Sequence, residues 1–90
     1  MLVSELLSEP SRWIKYGLAC DSEGHQVDAT GPYATCWCLL GAMFKCYRVD
    51  DPAWNRLNAA IPEGRAISVF NDSDDTTFED IRKVVERAGV

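Results

Sequence analysis

Between Asp28 and Lys45 the chain carries no charged side chain. That stretch constrains the fold more than any other, because a segment that is apolar on nearly every side must be enclosed by the rest of the molecule. Read as a helix over residues 33–48, ATCWCLLGAMFKCYR shows no polar face, and a helix apolar all round is a buried one. The uncharged run Pro32 to Phe44 is too short to span a bilayer, which takes about 20 residues. Gly41 costs such a helix about 1 kcal/mol relative to alanine, so its presence predicts a neighbouring element approaching closely at Gly41-Ala42.

The flanking segments supply the enclosure. Residues 2–7 read as a short helix with Leu2, Val3, Leu6 and Leu7 on one side, and Pro10 opens a further turn that offers Trp13 and Ile14 to the core. Leu18-Ala19-Cys20 and Gln26-Val27 flank the turn Asp21-Ser22-Glu23-Gly24, the pattern of a small β-hairpin. Asp51 as N-cap and Pro52 at the first position start a helix with Trp54, Leu57 and Ile61 at helical spacing, stopped by Pro62 and Gly64. Residues 65–70 fit a strand or a helical turn equally well. The last helix has Thr76-x-x-Glu79 as a capping box, with Thr77 as the alternative cap. Its apolar stripe is Phe78, Ile81, Val84, Val85 and Ala88, packed on the central helix; Glu79 and Lys83 make an i,i+4 pair, and Gly89 ends it. The expected fold is α+β, mainly α: a single domain over 1–90 with a compact three-helix core, short helical turns and one small β-hairpin.

Net charge narrows the function. Fourteen acidic residues against nine basic ones give −5, and the basic residues are spread thinly along the chain. Nucleic-acid binding by phosphate neutralisation needs the opposite balance, whereas an acidic surface suits docking to a basic protein face. The opening MLVSELLSEP has two acids within its first nine residues and no basic region before an apolar stretch, so no secretion signal is expected. That places the chain in the cytoplasm, with Cys20, Cys36, Cys38 and Cys46 as reduced thiols.

The Cys36-Trp37-Cys38 triplet suggests metal or redox chemistry. On a helix, residues two apart point about 200° away from each other, so these two thiols neither chelate one ion nor form an unstrained bridge. His25 is the sole histidine, and Cys20, His25, Cys36 and Cys46 have no zinc-site spacing. The expectation is therefore no metal and no cofactor. Cys36, at the start of the central helix where the dipole lowers a thiol pKa, with His25 as base, is the one weak catalytic candidate. The acidic turn Asn71-Asp72-Ser73-Asp74-Asp75 fails as a calcium loop begun at Asp72: Thr77 stands where glycine is required and Lys83 where glutamate is. Asn71 and Asp72 are expected to make Asx-turn bonds ahead of the last helix. Among the tryptophans, Trp13 and Trp37 read as core and Trp54 as the partly exposed one, a natural anchor for a protein partner.

These residues also carry a resemblance. Pro10 with Trp13, the glycine turn Asp21 to Val27, the block Cys36-Trp37-Cys38-Leu39-Leu40-Gly41-Ala42, then Phe70-Asn71-Asp72, and Thr77 followed by a helix ending near Arg87-Ala88 together resemble a family of small uncharacterised bacterial and phage proteins, a domain of unknown function. The resemblance supplies no activity. It implies that Cys36, Trp37, Gly41, Asn71 and Asp72 belong to one shared structural plan.

Three readings of function follow. The first is a small acidic module that binds another protein with a basic surface, in the manner of a phage-type inhibitor of a host or defence complex, through Asn71, Asp72, Asp74, Asp75 and Trp54. The second is a small enzyme using Cys36 with His25, or Asn71 with Asp72. The third is a self-associating structural domain, a homodimer. None involves nucleic acid or a membrane.

Overall fold

A computed structural model describes residues 1–90. Five α-helices and one two-stranded antiparallel sheet make up the regular structure: α1 (Val3–Leu6), β1 (Ala19–Cys20), β2 (Cys36–Trp37), α2 (Leu39–Cys46), α3 (Ala53–Ala60), α4 (Ile67–Asp72) and α5 (Phe78–Ala88), with 3-10 turns at Pro10–Arg12 and Pro62–Gly64. The fold is α+β and mainly α. Twenty buried residues form one contiguous apolar cluster drawn from every α-helix.

The central segment departs from expectation at its start. Cys36 and Trp37 leave the helix and pair with β1 in the register Ala19↔Trp37 and Cys20↔Cys36. Cysteine and tryptophan are indifferent helix formers that suit a half-buried pleated surface, and the free edge of β1 supplies the partner. Cys38 then caps α2, its Sγ accepting the Gly41 N–H at 3.2 Å. Nor is α2 enclosed on all sides: Leu39, Ala42 and Met43 are buried, while Leu40 is half-buried and Phe44 is exposed. The expected hairpin survives in minimal form, as a single bridge between Cys20 and Gln26. Its turn is held by the Asp21 carboxylate, which accepts the N–H groups of Glu23 and His25, both at 2.9 Å.

Gly41 confirms the close approach. A β-carbon at this position would overlap the Leu18 carbonyl oxygen and lie 2.8 Å from the carbonyl carbon. The same Leu18 oxygen accepts the Cys38 N–H at 3.1 Å, so α2 is drawn against the chain leading into β1.

The remaining helices follow their local signals. Asp51 accepts the Ala53 N–H at 2.8 Å at the head of α3, and residues 67–72 resolve the ambiguous segment as helix. Thr77, not Thr76, caps α5, exchanging bonds with Asp80. Gly89 closes it in the left-handed conformation, φ 71°. The partner of α5 differs from expectation: it lies on α3 and α1, while α2 packs on α4 and α1. Beside the β-layer, α2 is matched by the short α4, which leaves the amphipathic α3 as the apolar surface facing α5. Glu79 and Lys83 form no ion pair; Arg82 and Glu86 do, at 3.7 Å.

The expectation of four reduced thiols is corrected. Cys20 and Cys36, directly opposite each other across β1 and β2 with Cα atoms 5.4 Å apart, form a disulfide, a separation within the usual range for such a bond. The helical reading of residues 33–48 concealed this pairing, because only the strand register sets the two sulfurs face to face. Cys38 and Cys46 are free. No helix is long and apolar enough to cross a membrane.

Candidate functional site

Asn71 is where sequence and structure differ most. Instead of opening a surface turn, it lies in the last turn of α4 with no exposed area. Ile67, Phe70 and Asn71 share the core-facing side of that helix by their three- and four-residue spacing, and this is the signal that could have located it. Its Oδ1 accepts from Trp13 Nε1 at 2.6 Å and from the Leu39 N–H at 3.0 Å, and its Nδ2 donates to Ile14 O at 3.1 Å and Asp72 Oδ1 at 2.8 Å. Leu39 is the first residue of α2, whose leading N–H groups have no partner within the helix. Asn71 therefore caps α2 from a distant element while fastening residues 13–14.

Asp72 continues the seam. Its Oδ1 also accepts the Tyr16 N–H at 3.0 Å, and nearby Lys15 Nζ donates to Ser73 O at 2.6 Å and Tyr16 Oη to Asp74 Oδ1 at 3.4 Å. Asp72 is half-buried and Asp74 and Asp75 are exposed. Of the four residues in this turn assigned to binding, one is interior, one is mostly engaged in the fold, and two face solvent.

The structure does not assemble Cys36 and His25 into a nucleophile and its base. Cys36 is bonded to Cys20, and the His25 side chain, 74% exposed, turns Nδ1 toward Asp21 Oδ2 at 3.6 Å and Glu23 Oε2 at 3.7 Å. Burial pushes the free thiols of Cys38 and Cys46 above the ordinary cysteine pKa, which disfavours the reactive thiolate. No three His, Cys, Asp or Glu side chains gather as a metal-holding group.

The most distinctive surface is an apolar band across α2 and the segment before β1. A groove of about 570 Å³ is lined by Leu18, Val27, Phe44, Tyr47 and Val49, with Asp28 and Arg48 at its rim. A second groove, of about 360 Å³, meets it at Leu18 and runs past Tyr16 and Leu40 to Asp72. Leu40 and Phe44 are four residues apart and so share one face of α2. Tyr16, Leu18, Phe44 and Val49 are all exposed, Tyr16 and Val49 by 67% and 77%. Tyr16 holds a φ of 67°, the left-handed region in which a non-glycine residue is uncommon; the bond from its N–H to Asp72 keeps it there. Trp54 backs the band: its ring packs on Phe44 at 5.3 Å, and its Nε1 donates to Arg48 O at 2.8 Å. Sequence reasoning missed this band because α2 read as enclosed, although the charges at Lys45 and Arg48 mark its outward side.

No curated protein and no solved structure matches the chain. The model of a family of unknown function, DUF6197, matches residues 2–89, almost the whole sequence, and the chain belongs to that family.

Proposed function

We propose that residues 1–90 act as a single small acidic domain that binds another protein and carries out no chemistry of its own. The observation that carries this reading is the apolar band Tyr16–Leu18–Leu40–Phe44–Val49. Scattered apolar residues on a surface are ordinary, whereas a contiguous apolar patch rimmed by polar groups marks an interaction site. Trp54 supports the band from behind, and Asp28 and Asp72 border it. The net charge of −5 favours a partner with a basic surface around an apolar anchor point, and charge of this kind raises association rates more than affinity. A bacterial or phage protein that antagonises a complex by covering a basic face fits this description; acting in the cytoplasm, it would meet conditions that favour reduction of the Cys20–Cys36 bond.

Affinity capture with the tagged chain, compared with Phe44→Glu and Leu18→Asp variants, tests the proposal. A stoichiometric partner held by the parent, weakened at high salt and lost from both variants while their circular dichroism is unchanged, supports it. A partner retained by both folded variants places binding elsewhere and refutes it.

Self-association through the same band is the second reading, favoured by Leu18, Phe44 and Val49 standing exposed on one face. A measured solution mass of two chains that falls to one in Phe44→Glu selects it. The binding reading is preferred to the enzyme readings because Cys36 is bonded to Cys20 and Asn71 is interior.

A further inference from the structure

The fold brings three of the thinly spread basic residues together. Arg65 follows the Pro62–Gly64 turn, and Lys83 and Arg87 are four residues apart on one face of α5; all three line a cleft of about 240 Å³. None of them takes part in an ion pair. Arg87 in the last turn suits the helix dipole, but two like charges at this helical spacing are mildly unfavourable to each other.

Arg65 is the informative member. Its guanidinium lies over the Phe70 ring, Cζ 5.5 Å from the centroid, and its Nη1 donates to Ser73 Oγ at 2.9 Å. Its Nε is buried and has no hydrogen-bond partner. A buried charged donor without an acceptor is costly, and it is the only such side-chain atom in the chain. Phe70 and Ser73 fix the plane of the guanidinium, with Nε enclosed beneath it and Nη2, which takes no hydrogen bond within the fold, left as the donor on the cleft side.

Two carboxylates, Asp75 and Asp80, also line the cleft. Asp80 is already engaged, accepting the Thr77 N–H at 2.9 Å and the Thr77 hydroxyl at 3.1 Å; those bonds, with the nearby Lys83 charge, hold it below the ordinary carboxylate range. Both carboxylates are charged, so the cleft carries three cations against two anions, a net positive balance on a chain that is strongly acidic elsewhere.

We propose that this cleft is a binding site for a phosphate group. A phosphate group carries up to two negative charges and offers three oxygens, matching the Arg87 guanidinium, the outer Nη2 of Arg65 and the Lys83 ammonium; a carboxylate offers two oxygens and a single charge. Pro62, Phe70 and Val84 supply apolar wall for an organic substituent. The site lies apart from the apolar band and does not rest on the protein-binding reading.

The test is a titration of the whole chain with inorganic phosphate and, separately, with phenyl phosphate, each against sodium chloride at matched ionic strength. The readouts are the Arg65 Nε–H resonance and the melting temperature. A saturable movement of that resonance and a rise in melting temperature with either phosphate but not with chloride support the site; tighter binding of phenyl phosphate identifies an organic phosphate as the ligand, and equal binding identifies the free ion. Arg65→Lys keeps the charge, removes the planar guanidinium held by Phe70 and Ser73 with its outward Nη2, and should weaken binding at least tenfold. Lys83→Gln and Arg87→Gln change exposed residues, leave folding intact and should each weaken it about fivefold, so the test stands even if Arg65→Lys fails to fold. Equal responses to phosphate and chloride, or phosphate binding unaltered by Lys83→Gln and Arg87→Gln, overturn the proposal.

Discussion

Replacing Asn71 with alanine tests the structural plan at its most connected point. The side chain holds two donors, Trp13 Nε1 and the Leu39 N–H, and two acceptors, Ile14 O and Asp72 Oδ1, of which Asp72 keeps its bond from the Tyr16 N–H when Asn71 is removed. Leu39 is fully buried and Trp13 is half-buried, so water can replace the lost partner at Trp13 only in part and at Leu39 hardly at all. A buried polar group left without a partner costs about 1–3 kcal/mol, and three such groups, discounted for the wetter Trp13, give about 3–6 kcal/mol. A domain of this length has a total stability of roughly 5–13 kcal/mol, so Asn71→Ala should be folded only marginally, or not at all at 37 °C. Urea denaturation followed by tryptophan fluorescence and far-ultraviolet circular dichroism measures the change, provided the slope with denaturant is preserved. Asp72→Asn, which keeps an oxygen facing the Tyr16 N–H, should cost much less. A loss below about 1 kcal/mol in Asn71→Ala would mean that the buried amide is not what joins residues 13–14, α2 and α4.

Further perturbations probe other joints of the fold. Gly41→Ala gains about 1 kcal/mol of helix propensity yet should destabilise by roughly 1–3 kcal/mol net, since the new methyl meets the backbone of Leu18 and overpacked sites relax poorly; a stabilised variant in a melting experiment would contradict the close approach. Cys20→Ser, or reduction of the parent, opens a bridge across 16 positions and should cost about 3 kcal/mol by loop entropy, read as a lower urea midpoint under reducing conditions. The carboxyls of Asp21, Asp28 and Asp80 are held below the ordinary aspartate value of 3.8 by hydrogen bonds from His25, Thr30 and Thr77 respectively. Because their folded pKa is depressed, the unfolded chain binds more protons in the acid range. Their contribution should be complete above about pH 5 and lost as pH falls through 4 toward the folded values, and Asp80→Asn should flatten that limb of the stability profile.

What the sequence revealed was largely local. The Asp51 carboxylate at the head of α3, the Gly89 stop and the apolar stripe of α5 each depend on residues within one or two turns, and each is found; the tight packing at Gly41 was legible only as a need for space, its neighbour Leu18 being distant in the chain. Thr76 and Thr77 each precede an acid three residues on, Glu79 and Asp80, so local pattern alone did not choose between them; in the structure Thr77 pairs with Asp80 and Thr76 is buried. What escaped is long-range. The Cys20–Cys36 bond depends on the register of two-residue strands, which no periodicity reports. The interior place of Asn71 depends on partners 57 and 58 positions away. The convergence of Arg65 with Lys83 and Arg87, and the exposure of Phe44 on an otherwise apolar helix, follow from how α3, α4 and α5 stack, a tertiary choice that overrides local pattern.

The stretch between Cys20 and Cys36 contains one buried residue, Ala29, anchored by the Trp37 indole N–H at 2.9 Å from its carbonyl. So few interior contacts let it open locally at less cost than the core, independently of global unfolding. Its residues Val27 to Thr30 form one wall of the larger apolar groove, while Phe44 and Tyr47 on and beside α2 form the other. The groove thus has a fixed side and a yielding side. A protein that docks there must still the yielding side, at the expense of conformational entropy. The disulfide removes part of that freedom beforehand, so if a partner docks there as proposed, opening the bond should weaken the complex without touching any contact residue.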